Sequence, residues 1–231
     1  MRKMRSKSST LVDRPKRYNW LSFVHCTEVP RLGSCWLCGS RSAVDGLCEG
    51  CTQDLPWRNT PWRKKLAHID EVVACFNFAY PIRQLIHQVK FGRDIACARL
   101  LGRLAAGQFE HIDLHLDSAA LYPVPLAHGR MLRRGVNQAV ELCLPVRRHL
   151  YLPIDVVSVY KPRAGRAQSR LDAATRRKNI RGAFALHHPV NVDVAIIFDD
   201  VITTGATVSA MAQTLRLGGA KRVVVWVIAA A

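Results

Sequence analysis

The sequence contains no run of about eighteen apolar residues, so nothing in it is expected to cross a membrane as a helix. Acid is in short supply as well: 17 Asp and Glu stand against 34 Lys and Arg, for a formal charge of +17. That balance favours a polyanionic partner, whether a polyphosphate or nucleic acid. The apolar patch from Trp20 to Val24 is too short and interrupted for a signal peptide, so the expected location is cytoplasmic. A basic, serine-containing start also has the composition of an organelle transit peptide. Apolar residues are not scarce. At 49% of 231 residues they suffice for the core of one α/β domain with a small appendage.

The positive charge is clustered. Residues 1–17 carry +6, residues 161–181 carry +7, and Arg130, Arg133 and Arg134 add three more, which leaves the rest of the chain nearly neutral. Residues 1–17 have no apolar periodicity and read as a basic disordered arm. The organisation expected beyond it is a cysteine module over 18–65 and a larger domain over 66–231.

The module is defined by Cys35-x2-Cys38-x9-Cys48-x2-Cys51. Each Cys-x2-Cys forms a knuckle, and four thiolates can close a tetrahedral zinc site of the structural kind. Two disulfides or a redox Cys-x-x-Cys are the rival readings, the first disfavoured in a reducing compartment. Cys75, Cys97 and Cys143, like Cys26, lie in or beside apolar stretches and read as buried thiols. Trp20, Trp36, Trp57 and Trp62 fall among Arg58, Arg63, Lys64 and Lys65. Aromatics interleaved with cations can stack the bases of single-stranded DNA; equally, a small module uses tryptophan to cover a thin core.

In the larger domain, strands are expected at Val72–Tyr80, Ala119–Pro125, Asp155–Tyr160, Gly182–Leu186, Ala195–Phe198 and Arg222–Ile228. Helical patterns alternate with them. One starts at Pro81 with Ile82, Leu85, Ile86 and Val89 on one face, and another is capped by Asp94. A third is capped by Asn137 and carries Pro145, which should kink it. Strand–helix alternation implies an α/β fold with a mainly parallel sheet.

The most informative stretch is Asp193 to Thr207. Ala195 to Phe198 reads as a strand buried on both faces, with Asp199 and Asp200 at its end. The loop Thr203-Thr204-Gly205-Ala206-Thr207 then enters a helix with Val208, Met211, Ala212 and Leu215 on one face. Ligands of parallel sheets sit beyond the carboxyl ends of strands, and a helix N-terminus offers N–H groups to phosphate. Threonine hydroxyls add donors, Gly205 permits close backbone approach, and two carboxylates accept hydrogen bonds from vicinal sugar hydroxyls. Together they describe a ribose 5-phosphate site. The competing reading is a buried strand followed by an Asp-rich turn that caps a helix.

Residues 195–207 resemble the PRPP-binding signature of type I phosphoribosyltransferases. That resemblance implies that Asp199 and Asp200 hold the ribose hydroxyls and that Thr203 to Thr207 hold the 5-phosphate. The leaving group is pyrophosphate, so cations are needed: Arg130, with Arg133 or Arg134, and a Mg²⁺ bound with PRPP. The stretch 161–169, with Pro162, Gly165 and many cations, reads as a lid bearing Arg163 and Gln168. The plainer reading of 161–181 is a solvated charged helix. No side chain stands out as the base that would take a proton from an acceptor.

In order along residues 35–228 the chain is similar to the ComF family of competence-associated, phosphoribosyltransferase-like proteins. The likeness rests on the four-Cys knuckle, on Tyr80 followed by a helix to Lys90-Phe91, and on Pro123-Val-Pro-Leu126. It continues through Arg130, Arg133-Arg-Gly-x-Asn137-Gln-Ala139, Gln168-x-x-Leu171, Arg176-x-x-Asn179, Gly182-Ala-Phe184 and Asp199 to Thr207. Where family members commonly carry a Thr shortly before the Gln, this chain has Ala164-Gly-Arg-Ala167. The resemblance implies a type I phosphoribosyltransferase-like sheet flanked by helices. It also implies a link to competence and DNA uptake, with single-stranded DNA and DNA-processing proteins as partners. Phosphoribosyl transfer and a non-catalytic, PRPP-sensing or DNA-binding role both fit it.

Overall fold

The structure is a computed structural model, and it describes residues 34–41, 46–62, 64–92, 94–112, 118–127, 129, 131–132, 135–162 and 183–231. The chain divides into two compact units, Met1–Asp54 and Leu55–Ala231.

In the first unit, Cys35 to Cys38 form a tight turn closed by the Gly39 N–H on the Cys35 carbonyl (2.8 Å). Gly39 and Gly46 both take positive φ, which glycine adopts without a Cβ penalty. Cys48 caps a one-turn helix, α1 (Glu49–Gln53), that brings Cys51 inward. Leu37 and Leu47 are buried beside the thiols.

The second unit is built on four parallel strands in the order β1 (Glu71–Asn77), β6 (Arg222–Ala230), β5 (Val194–Ile202), β2 (Ala119–Pro123). Parallel neighbours need crossovers, and the helices supply them. After β1 come α2 (Ile82–His87), a π-helical turn (Gln88–Gly92) and α3 (Ile95–Phe109). α4 (Gln138–Leu150) follows β2, and α5 (Ala206–Gly218) joins β5 to β6. The central strands are apolar runs because both faces are covered. Ala195, Ile197, Val223, Val225 and Val227 face Val208, Met211, Ala212 and Leu215 of α5 in one core. The alternate residues Phe198 and Trp226 meet Phe109 of α3, with Trp226 stacked on it at 4.4 Å between centroids. Truncating a buried aromatic of this kind costs about 3–5 kcal/mol.

The caps agree with the sequence reading. Asp94 accepts the Cys97 N–H and Asn137 accepts that of Ala139. Gly219, at φ 119°, ends α5. Ile82, Leu85, Ile86 and Val89 are buried as expected, and so are Cys75, Cys97 and Cys143. Pro145 lies inside α4, and its ring packs beside Gly102 of α3, where a Cβ would sit 2.9 Å from Pro145 Cγ. The proline therefore shapes the α3–α4 contact.

Two strand expectations need correction. The strand expected over Asp155–Tyr160 is only β3 (Val159–Tyr160), paired antiparallel with β4 (Ala185–Leu186). Asp155 turns the chain instead, because its carboxylate accepts the N–H groups of Val157 and Ser158. The second correction concerns β5. It does not stop at Phe198, because β6 runs beside it to the end, pairing Asp199 with Val227 and Ile202 with Ala230. The two aspartates are thus strand residues.

Candidate functional site

Being in a strand, Asp199 and Asp200 alternate between faces of the sheet. Asp199 continues the row of Ala195 and Ile197, on the α5 side, and lines a shallow cup with Val201–Val208. Asp200 continues the row of Phe198, and its Oδ2 meets Lys90 Nζ of the π-helical turn at 3.0 Å. The pair stays connected through the backbone: the Asp200 N–H donates to Asp199 Oδ1 at 2.9 Å.

Asp199 lies where hydration is poor. Burial, and then the charge of Asp200, push its carboxyl up to about 7, against the opposing pull of the Asp200 N–H, Lys90 and Lys161.

The rim of the cup is the loop into α5. Thr203, Thr204, Ala206 and Thr207 are exposed, and the Ala206 N–H reaches Thr204 Oγ1 at 3.4 Å. First-turn N–H groups of a helix have no partner within it, and Ala206, Thr207 and Val208 of that first turn line the cup. Gly205 is required by its φ of 81°. The expectation that its missing Cβ admits a ligand is refined by what stands there. A Cβ would lie 2.6 Å from Leu66 Cδ1, so the space is filled by the chain itself. Lys64 Nζ is 3.5 Å from the Thr204 carbonyl on the same stretch.

Arg130, Arg133, Arg134, Arg163 and Gln168 lie outside the described residues. The Val124 N–H donates to the Phe198 carbonyl, one residue before Asp199, and Asn137 Nδ2 reaches the Val124 carbonyl at 3.1 Å. Lys161, directly after β3, stands 4.7 Å over the Phe184 ring and is near enough to act on Asp199. Trp57 packs on Phe76 at 4.5 Å and Trp62 lies against the sheet core, so both rings are engaged in packing.

In the first unit, the four Sγ atoms of Cys35, Cys38, Cys48 and Cys51 lie within 4.8 Å of one another, with Cys38 and Cys48 at 3.6 Å. Zinc–sulfur bonds of about 2.3 Å in a tetrahedron put sulfurs about 3.8 Å apart. Four thiols converging on one point could hold a metal ion of that kind, and two separate disulfides would not share a centre. Burial pushes the Cys35 and Cys51 thiols up, whereas the Cys51 N–H holds Cys48 down at about 6.

The chain is 36% identical over 197 residues to the DNA utilization protein YhgH of Escherichia coli K12, covering 83% of this chain and 82% of that one. It is 30% identical over 214 residues to Competence protein F of Haemophilus influenzae, covering 82% and 92%. The chain belongs to the ComF family. No family model matches it. Among solved structures, TT1426 from Thermus thermophilus aligns at 22% identity over 56% of this chain and 72% of that one. At a TM-score of 0.31 that alignment carries no weight for fold or function.

Sequence reasoning missed two participants at the site. Lys90 directly follows buried Val89, where the apolar stripe of Ile82, Leu85 and Ile86 ends, a position where a charge requires a partner. That was a readable signal. Leu66 was not readable, because nothing local in the sequence brings it to Gly205.

Proposed function

We propose that the cup at the end of β5 binds the phosphorylated ribose of PRPP with Mg²⁺, and that the protein acts as a phosphoribosyltransferase of the ComF type in competence and DNA uptake. The observation that carries the reading is one hollow lined together by Asp199 and by a helix N-terminus with three threonines. The loop amides and hydroxyls would take the 5-phosphate, and Asp199 and Asp200 would accept the sugar hydroxyls. Arg130, Arg133 and Arg134 would meet the pyrophosphate, while Arg163 and Gln168 would act from the 161–169 segment. Mg²⁺ would supply charge neutralisation on the departing pyrophosphate. In the transfer, the C1–O bond breaks as a bond to an amine or base nitrogen forms, and the acceptor's proton passes to solvent. Competence enters through the relatives, one named as a competence protein and others as DNA utilization proteins.

Calorimetry with Mg-PRPP tests the binding step. Wild-type protein should bind at micromolar concentrations, and Asp199→Asn with Thr204→Val should lose at least tenfold in affinity while keeping its far-UV spectrum. Unchanged affinity in that double variant would remove the cup from consideration.

The net charge of +17, concentrated in three segments, favours a second reading. In it the protein is a non-catalytic accessory that engages single-stranded DNA directly, with the cup as a sensor. Structural zinc in the four-Cys unit is common to both readings.

A further inference from the structure

Lys90 belongs to none of the groups assigned so far to phosphate, sugar or metal. It sits in the π-helical turn between α2 and α3, a kind of irregularity often found at functional sites. Its stem follows Ile86 and precedes exposed Phe91, and its ammonium lies 3.0 Å from Asp200, whose side chain is only 13% exposed. Asp199 lines the cup and Asp200 adjoins it across the strand, so two adjacent carboxylates beside a site for a polyanion present a physical difficulty, since like charge repels the ligand they are meant to hold. Among the described residues, the cations acting on Asp199 are Lys90 from the π-helical turn and Lys161 from the segment after β3. On the β6 side the register partner is apolar Val227, and on the β2 side the neighbouring bond is backbone to backbone, from Val124 to Phe198.

We propose that Lys90 is a positioning residue of this site: its ammonium fixes the Asp200 carboxylate and balances the charge of the Asp199–Asp200 pair, so that the pair receives the hydroxyls of an anionic phosphorylated sugar instead of repelling it. The inference rests on the phosphorylated-ribose reading for its ligand, but not for the ion pair itself. Lys90 acts through Asp200 and need not touch the sugar. Its charge also favours the ionised form of Asp199, which burial and Asp200 disfavour. Loss of the ammonium would therefore weaken binding most on the acid side of neutrality, where the carboxylate accepting the hydroxyls is first protonated.

The test uses the full-length protein and the variants K90M, which keeps the stem and removes the charge, and K90R, which keeps the charge. Mg-PRPP affinity is measured from pH 6 to pH 9, and the Asp199 carboxyl ¹³C shift is followed over the same range without ligand. K90M should bind about tenfold more weakly at pH 7, with the acidic limb of its affinity profile about one pH unit higher. K90R should stay within about threefold of wild type. The Asp199 titration midpoint should rise in K90M and not in K90R. A midpoint unchanged in folded K90M would overturn the proposal, whatever the ligand. Wild-type protein that ignores Mg-PRPP while the K90M midpoint still rises would discard the ligand and leave the ion pair's role standing. K90Q, titrated in the same way, serves if K90M does not fold.

Discussion

Asp199 stands where stability and the proposed sugar binding make opposite demands. Its carboxyl is raised to about 7 by burial and by Asp200, against 3.8 for an ordinary aspartate. A group with higher proton affinity in the folded state stabilises the fold while protonated. That contribution is complete below about pH 4 and is lost as pH rises through about 7. Asp199→Asn should therefore melt higher than wild type at pH 8, by about 3 °C or more, with the gap closing toward pH 5. Thermal melts across that range check the sign, and a gap that widens on acidification would refute it. The residue types of the cup were legible in the sequence, since an acid pair followed by Thr-Thr-Gly-x-Thr has few other uses. The division of labour between the acids was not. It depends on β5 continuing past Phe198, which is decided by β6 and not by the residues of β5.

At the scale of elements, periodicity and caps located most of the fold. The Asp94, Asn137 and Gly219 boundaries, and the buried faces of α2 and α5, follow from local chemistry that a sequence displays. Asp155–Tyr160 misled because its apolar residues suit a strand, while the Asp155 carboxylate turns the backbone with two hydrogen bonds. Pro145 had no explanation in sequence. Its ring and the Leu142 carbonyl both lie against Gly102, so α3 and α4 approach where neither has bulk to spare. Gly102→Ala should cost about 1–3 kcal/mol, because the obstruction is partly backbone and cannot rotate away. Urea denaturation measures this, and a variant as stable as wild type would mean the helices slide apart at no cost.

For the molecule as a whole, the charge pattern makes a claim that the site does not. Most of the excess cations lie in residues 1–17 and 161–181, and a charged polymer would meet them as counterion-releasing contacts. A single-stranded oligonucleotide should bind with log K falling steeply against log salt, at a slope of magnitude about 4 or more. Fluorescence anisotropy between 50 and 200 mM salt gives the slope, and a flat line would remove nucleic acid as a direct partner. The four-Cys unit was legible because ligand spacing is a local property. It has little core to rely on, since Leu37 and Leu47 are all the buried aliphatic side chains it has among the described residues, and its four thiols could hold a metal ion.

Leu66 fills the space beneath Gly205, and Lys64 reaches the preceding carbonyl, that of Thr204, from 140 residues earlier in the chain. The loop that enters α5 is therefore propped from below by a distant stretch of its own polypeptide. Its contour is inherited from the length of the tether between Trp62 and Glu71 as much as from the threonines that advertise it. Shortening that tether by one residue would withdraw the prop and let the hollow collapse, although every residue of the signature remained in place.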